Sequence, residues 1–154
     1  MTGPTEASWT HVALPVQDLQ ASIEFYTSFT PLVVLERFAD GAGQSAWLGH
    51  DRPTDSPFVL VLVMFDAARD EPHPVLGPFA HLGIEVPTRR ELDELAERAR
   101  DGGCLTWEPR DLPPPVGYVC ALSDPDGNVI EISHNQGVYD AVRRRSGGGP
   151  GRAD

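Results

Sequence analysis

The chain repeats itself once, and that repeat limits what it can fold into. HVALPVQDLQASIEFYTSF from His11 and HLGIEVPTRRELDELAERAR from His81 share one plan: a histidine, alternating apolar residues, a valine, a polar helix start and a helical run. The offset is 70 residues. Self-similarity seen only twice at such a distance points to a duplicated supersecondary unit within one domain, because a solenoid needs three or more stacked units. The two halves are read as 9–66 and 79–134.

Local signals give each half the same order of elements. Trp9 to Val16 alternates as a strand; Asp18 then suits an N-cap, with Ile23, Phe25, Tyr26 and Phe29 as the apolar stripe of a helix. In the second half Thr88-Arg-Arg-Glu91 is a capping box, Leu92, Leu95, Ala96 and Ala99 form one helix face, and Gly102-Gly103 stops the helix. Three strand-like runs follow each helix: Leu32–Phe38, Gln44–Leu48 and Phe58–Phe65, then Leu105–Glu108, Gly117–Leu122 and Asn128–Ser133. Clusters such as Gly41-Ala-Gly43, Arg52-Pro53, Pro113 to Pro115 and Asp124-Pro-Asp-Gly127 punctuate them as turns. The expected fold is α+β, a pair of βαβββ modules.

At 154 residues the chain has the length of a single domain able to bury about two thirds of its unfolded surface. That domain is read as 9–139, with 1–8 and 140–154 as flexible tails, the latter containing RRRSGGGPGRAD, which has no apolar area to offset its chain entropy. Cys104 and Cys120 are too few for a disulfide framework, and no apolar N-terminal stretch resembles a signal peptide, so a cytoplasmic location is expected. The longest apolar run, FVLVLVMF, falls well short of the ~20 residues of a membrane-spanning helix. With 12 basic against 23 acidic residues, net charge −11, the surface repels phosphate backbones and anionic lipid. Neither nucleic acid nor a membrane is expected as a partner. Every basic residue is an arginine, which excludes lysine Schiff-base chemistry and the lysine-dependent phosphate loop.

Strand parity locates the candidate chemistry. Val12, Leu14 and Val16 share the face that packs on the helix, which leaves His11, Ala13 and Pro15 on the other. Leu82, Ile84 and Val86 repeat the pattern against His81, Gly83 and Glu85, and Ile130 and Ile132 put Glu131 opposite the core with Val129 and Ser133. Two imidazoles and one carboxylate thus leave the helix-packed side, where two curved halves would form a cupped mixed sheet. A histidine near a strand start or a glutamate on an edge strand has an ordinary structural explanation when taken singly. Matched repeat positions for both histidines favour His11, His81 and Glu131 as metal ligands.

The repeat offers one more test. Glu131 follows His81 by 50 residues, and 50 residues after His11 stands Val61, where a symmetric site would carry a second carboxylate or amide. The expected centre is therefore 2-His-1-carboxylate with open positions, suited to Fe(II) or Mn(II) and admitting Zn, Ni or Mg, with room for a bidentate substrate. His50, His73 and His134 lie in loops or on the parity opposite to Glu131 and are read as surface groups, His134 within swinging distance. Tyr118 has core parity and is read as packing, while Trp47 and Trp107 fit either a pocket wall or the core.

HVALPVQDLQASIEFY, HLGIEV and DPDGNVIEI, over about Trp9 to His134, resemble the vicinal oxygen chelate superfamily, which includes glyoxalase I, extradiol dioxygenases, methylmalonyl-CoA epimerases, fosfomycin-resistance transferases and bleomycin-binding proteins. The resemblance implies a glyoxalase-like cupped sheet around a divalent metal, often a homodimer, with His11, His81 and Glu131 at the family's ligand positions. Glyoxalase I and the epimerases generally carry Glu or Gln where this chain has Val61, which removes a base. Ring-cleaving dioxygenases and the fosfomycin-resistance transferases keep an apolar residue there, yet usually carry a tyrosine where this chain has Ala121. Val61 and Ala121 are accordingly read as substrate-pocket residues.

The activity these readings imply is a metal-dependent enzyme chelating a small substrate through adjacent oxygens, an extradiol-type dioxygenase first. A glyoxalase-like lyase or isomerase or a resistance transferase stands second. A metal-free drug-binding protein, favoured by the acidic surface, is the alternative from another class.

Overall fold

The alternation of apolar residues with a period of two, and its switch to helical spacing after Asp18 and Thr88, produces the elements in the expected order. The chain runs β1 (His11–Pro15), α1 (Leu19–Phe29), β2 (Leu32–Ala39), β3 (Gly43–His50), β4 (Val59–Phe65), a 3-10 turn (Asp66–Ala68), β5 (Leu82–Glu85), α2 (Arg89–Asp101), β6 (Leu105–Leu112), β7 (Gly117–Ser123) and β8 (Val129–His134). The structure is a computed structural model that describes residues 10–52, 58–68, 70–75 and 80–138. Trp9, Pro53, Tyr139 and the tails 1–8 and 140–154 lie outside the described residues. Two compact units result, one holding the described residues up to Val75 together with Asp124–Asn128, the other holding the rest.

In the first unit a four-stranded mixed sheet has the order β1-β4-β3-β2, with β1 parallel to β4 and the other pairs antiparallel. Asp18 caps α1 by accepting from the Ala21 N–H at 2.9 Å, satisfying a donor that the helix leaves unpaired. Leu14, Val16, Ala46, Leu48, Leu60, Leu62 and Met64 are buried with Leu19, Ile23, Phe25 and Tyr26 of α1. Each Leu so buried contributes about 1.5–3 kcal/mol by leaving water. The β2–β3 turn depends on Gly43, since a Cβ there would meet the Met64 carbonyl oxygen at 2.2 Å. Asp40 closes that turn by accepting from the Ala42 and Gly43 N–H groups at 2.8 and 3.1 Å.

The second unit repeats the topology as β5-β8-β7-β6, with β5 parallel to β8. Thr88 accepts from the Glu91 N–H at 3.2 Å, and its hydroxyl donates to the Glu91 carboxylate rather than waiting for a reciprocal backbone bond. Arg89 opens α2, forms a two-pronged pair with Asp111 at 2.9 and 2.8 Å, and lies 3.6 Å over the Tyr118 ring. The Tyr118 hydroxyl donates to Asp93 of α2 at 2.6 Å. Tyr118 thus has the helix-side parity expected of it, but is half-buried with a bonded tip rather than enclosed packing. β6 runs to Leu112, past the expected end at Glu108, because register shifts between Leu105 and Arg110 let the strand absorb Pro109 without a ladder donor.

Cys120, fully buried on the helix side of β7, illustrates how this packing controls chemistry. Burial, reinforced by Asp93, Glu108 and Glu131, pushes its thiol up to about 12. The folded protein therefore holds this proton to higher pH than the unfolded chain. The resulting stability is fully present below the ordinary thiol pKa of about 8.5 and is lost as pH rises through the folded value. In a Cys104→Ser variant, the Cys120 thiol is expected to stay unlabelled by Ellman's reagent at pH 8 until denaturant is added; immediate native-state labelling would contradict the packing.

Candidate metal centre

His81 directly precedes β5, and Glu131 stands on β8, the strand paired in parallel with it. In register Gly83 faces Glu131, Glu131 faces Ala121, and Ala121 faces Trp107, so one row crosses the sheet from edge to edge. Tyr118, of opposite parity to Ala121 on the same strand, reaches α2, which puts this row on the face away from the helix. Period-two alternation thereby brings His81 and Glu131 together, with Nε2 and Oε2 3.8 Å apart and the side chains 38% and 15% exposed. That separation is too long for a hydrogen bond. It is close to the roughly 3.0–3.5 Å between two donor atoms that each stand about 2.1 Å from one shared ion.

Two further observations fit a cation at this point. A Cβ added at Gly83 would meet nothing within 4 Å, so open space borders the glutamate. The Glu131 carboxylate is also already oriented: Gln136 donates from Nε2 to Oε1 at 2.9 Å, leaving Oε2 on the His81 side. The Gln136 backbone N–H donates at 3.1 Å to Glu85 Oε1, while Glu85 Oε2 is buried with no hydrogen-bond partner among the described residues. The same sheet face therefore carries a second carboxylate beside the first. Its parity was legible in HLGIEV, whereas nothing local marks Gln136, which follows Asn135 at a positive φ of 59°.

His11 belongs to the first unit, exposed at the start of β1, with Nδ1 2.9 Å from the Thr10 hydroxyl. An engaged Nδ1 leaves Nε2 as the nitrogen available to a ligand role. Val61 of β4 pairs with Ala13 on one side and Trp47 on the other, on the face away from α1. Ala121 is buried at 4% exposure. Within neither unit do three His, Cys, Asp or Glu side chains gather as a metal-holding group among the described residues; the second unit brings together two of the three expected ligands.

The remaining candidates are placed as follows. Trp47 and Trp107 are 42% and 46% exposed, which removes the core alternative; both stand on the helix-free faces, and the Arg110 guanidinium lies 5.0 Å from the Trp107 ring. His50 closes β3 rather than sitting in a loop, because the hairpin ladder continues to Leu32. His73 and His134 are half-buried rather than surface groups. Nε2 of His73 is out of water without a partner among the described residues, and Nδ1 of His134 lies 3.3 Å from the Val86 carbonyl oxygen, on the helix-side parity and away from Glu131.

Comparison with known proteins bears on the fold and the family. An uncharacterized protein of Pseudomonas aeruginosa is 38% identical over 127 residues, covering 82% of this chain and 88% of the relative. A probable lactoylglutathione lyase of Vibrio cholerae is 26% identical over 131 residues, 84% and 91% of the two chains. Among solved structures, the trypanothione-dependent glyoxalase I of Leishmania major superposes with a TM-score of 0.70 at 22% identity, covering 92% and 96%. A mutant fosfomycin resistance protein of Listeria monocytogenes, complexed with Mn(II) and a dihydroxypropylphosphonic acid, superposes at 0.64 with 16% identity, covering 90% and 99%. These two likenesses establish the fold, paired βαβββ modules. The family model for the Glyoxalase/Bleomycin resistance protein/Dioxygenase superfamily matches residues 9–132, and the chain belongs to that superfamily.

Proposed function

We propose that this protein is a divalent-metal-dependent enzyme in which His11, His81 and Glu131 hold one ion and a small substrate binds through two adjacent oxygens. The observation that carries the reading is the His81–Glu131 pair at 3.8 Å beside the open space at Gly83, with His11 at the matching position of the repeat. Fe(II) or Mn(II) suits two imidazoles and a carboxylate, and Mn(II) is the ion in the Listeria relative. The homodimer implied by the resemblance belongs to the same proposal.

When bound, such an ion supplies Lewis acidity to the substrate oxygens. The chain's own residues do the rest. Glu131 stands on β8 and His81 directly precedes β5, the strand hydrogen-bonded to it, so the two donors are anchored to paired strands, which position groups more rigidly than loops do. Val61 offers an apolar wall where a symmetric site would carry a base. Glu85 supplies that missing kind of group: a carboxylate on the Glu131 face, with one oxygen held by the Gln136 N–H and the other unpaired among the described residues, is placed to take and return a proton. This favours a lyase or isomerase step over the extradiol oxygenation that the apolar Val61 suggests by itself.

Protein purified without chelator is expected to carry divalent metal and to exchange solvent deuterium into a small α-hydroxycarbonyl compound only while the metal is present. Metal-dependent oxygen uptake with a catechol and no exchange would replace the lyase reading with the oxygenase. A metal-free protein that binds cationic drugs would leave a binding module instead.

A further inference from the structure

We propose that Gln136 is the positioning residue that makes Glu131 a one-oxygen ligand, an inference that rests on the metal-centre reading above. A free carboxylate offers two equivalent oxygens to a cation. Here the Gln136 side-chain amide donates to Oε1 at 2.9 Å, which takes up one of that oxygen's two lone pairs and turns it toward the amide, so Oε2, the oxygen facing His81 Nε2 at 3.8 Å, is the better donor to a cation. A bidentate grip by Glu131 would draw the ion onto an oxygen already oriented by, and sharing its electron density with, the Gln136 amide. One carboxylate oxygen per ion leaves one more position for substrate oxygens, which a site binding its substrate through two atoms needs.

Gln136 is itself held from three directions. Its backbone N–H donates to Glu85 Oε1 at 3.1 Å, which links the two carboxylates of the face through one residue. The next N–H, of Gly137, donates to the Pro115 carbonyl oxygen at 2.8 Å. On the other side, the left-handed turn at Asn135 packs its carbonyl against Gly117, where a Cβ would come within 2.7 Å of that oxygen. Glu85 and the β6–β7 turn thus set where the amide points, and the amide sets the carboxylate.

Mn(II) titration followed by the loss of the free-ion paramagnetic resonance signal tests this without any substrate. Gln136→Met keeps the side chain's length and removes the donor; Gln136→Ala removes both and serves as the second variant. Hydrogen-bond partners of ligating carboxylates typically contribute about 10–100-fold in metal affinity, so each variant is expected to bind Mn(II) weaker by that factor. Thermal unfolding of the metal-free protein should move little, and the same substitution in a Glu131→Gln background should weaken binding no further. Wild-type affinity in both variants would overturn the role, as would an equal loss in the Glu131→Gln background, since the amide would then act through another group. A wild-type protein that takes up no Mn(II) would overturn the metal centre itself, and the role of Gln136 with it.

Discussion

Glu131→Ala is expected to purify with less than about a tenth of the divalent metal that the wild-type protein carries, and to bind added Mn(II) at least about 100-fold more weakly. Glu131 is the only anionic ligand in the proposed set. Without it two imidazoles alone face a dication, and Glu85, the neighbouring carboxylate, has its Oε1 already bonded to the Gln136 N–H. The loss should exceed that from Gln136→Met, because a ligand is removed rather than its support. His81→Ala and His11→Ala should lose metal comparably, while His50→Ala, an exposed residue at the end of β3, should not. Inductively coupled plasma mass spectrometry on the four proteins decides the matter. Full metal content in all three ligand variants would remove the centre from consideration.

Asp124→Ala is expected to be the most destabilising single substitution outside the apolar core, by about 4 kcal/mol, lowering the unfolding midpoint by about 10 °C. Asp124 is only 4% exposed, and its carboxylate accepts hydrogen bonds from the Tyr26 hydroxyl at 2.8 Å, the Asn128 amide at 2.9 Å, and the N–H groups of Asn128 and Asp126 at 2.7 and 3.0 Å. Truncation would strand these donors, including those of Tyr26 and Asn128, which are 1% and 2% exposed. Tyr26→Phe removes one donor and leaves the carboxylate its bonds to Asn128 and Asp126, so about 1 kcal/mol is expected for it. Burial, with Asp124 next in size, raises the Tyr26 hydroxyl far above the ordinary phenol range, so it remains a donor throughout the accessible pH range. Asp126 extends the network by accepting from the Gln17 N–H at 2.9 Å and the Ser22 hydroxyl at 3.3 Å. Urea unfolding of Asp124→Ala beside the exposed control Glu94→Ala tests the estimate; equal midpoints would show that the network contributes little.

This network shows why the DPDG turn is more than punctuation. The segment Asp124–Asn128 joins β7 to β8, yet it packs with the first unit, against α1. Its short range was legible, since Asp-Pro-Asp-Gly is turn chemistry wherever it occurs. Its attachment to Tyr26, 98 residues away, was not. Likewise Tyr26 lies on the apolar stripe of its helix, and only the fold shows that its buried hydroxyl is satisfied by the Asp124 carboxylate.

The site divides along the same line. Period-two alternation and the repeat were enough to put His81 and Glu131 on one face, because side-chain direction along a strand is a local property of the backbone. Strand pairing is not local, so the row from Gly83 through Glu131 and Ala121 to Trp107 emerged only when the register was seen. The expectation of a surface His73 failed for a related reason, as solvent exposure of a connecting segment depends on what lies over it and not on its own composition.

By itself the sequence determined the element order, the two modules, the faces of their strands and the residue types able to hold a cation, all of which follow from backbone periodicity and capping chemistry acting over a few residues. Tertiary structure alone decided that Gln136 joins Glu85 to Glu131, that Asp124 is anchored to Tyr26, and that both tryptophans stand away from the core. Those outcomes depend on hydrogen bonds and packing between residues distant in the chain, whose partners are set by how strands pair and helices settle, and no local pattern encodes them.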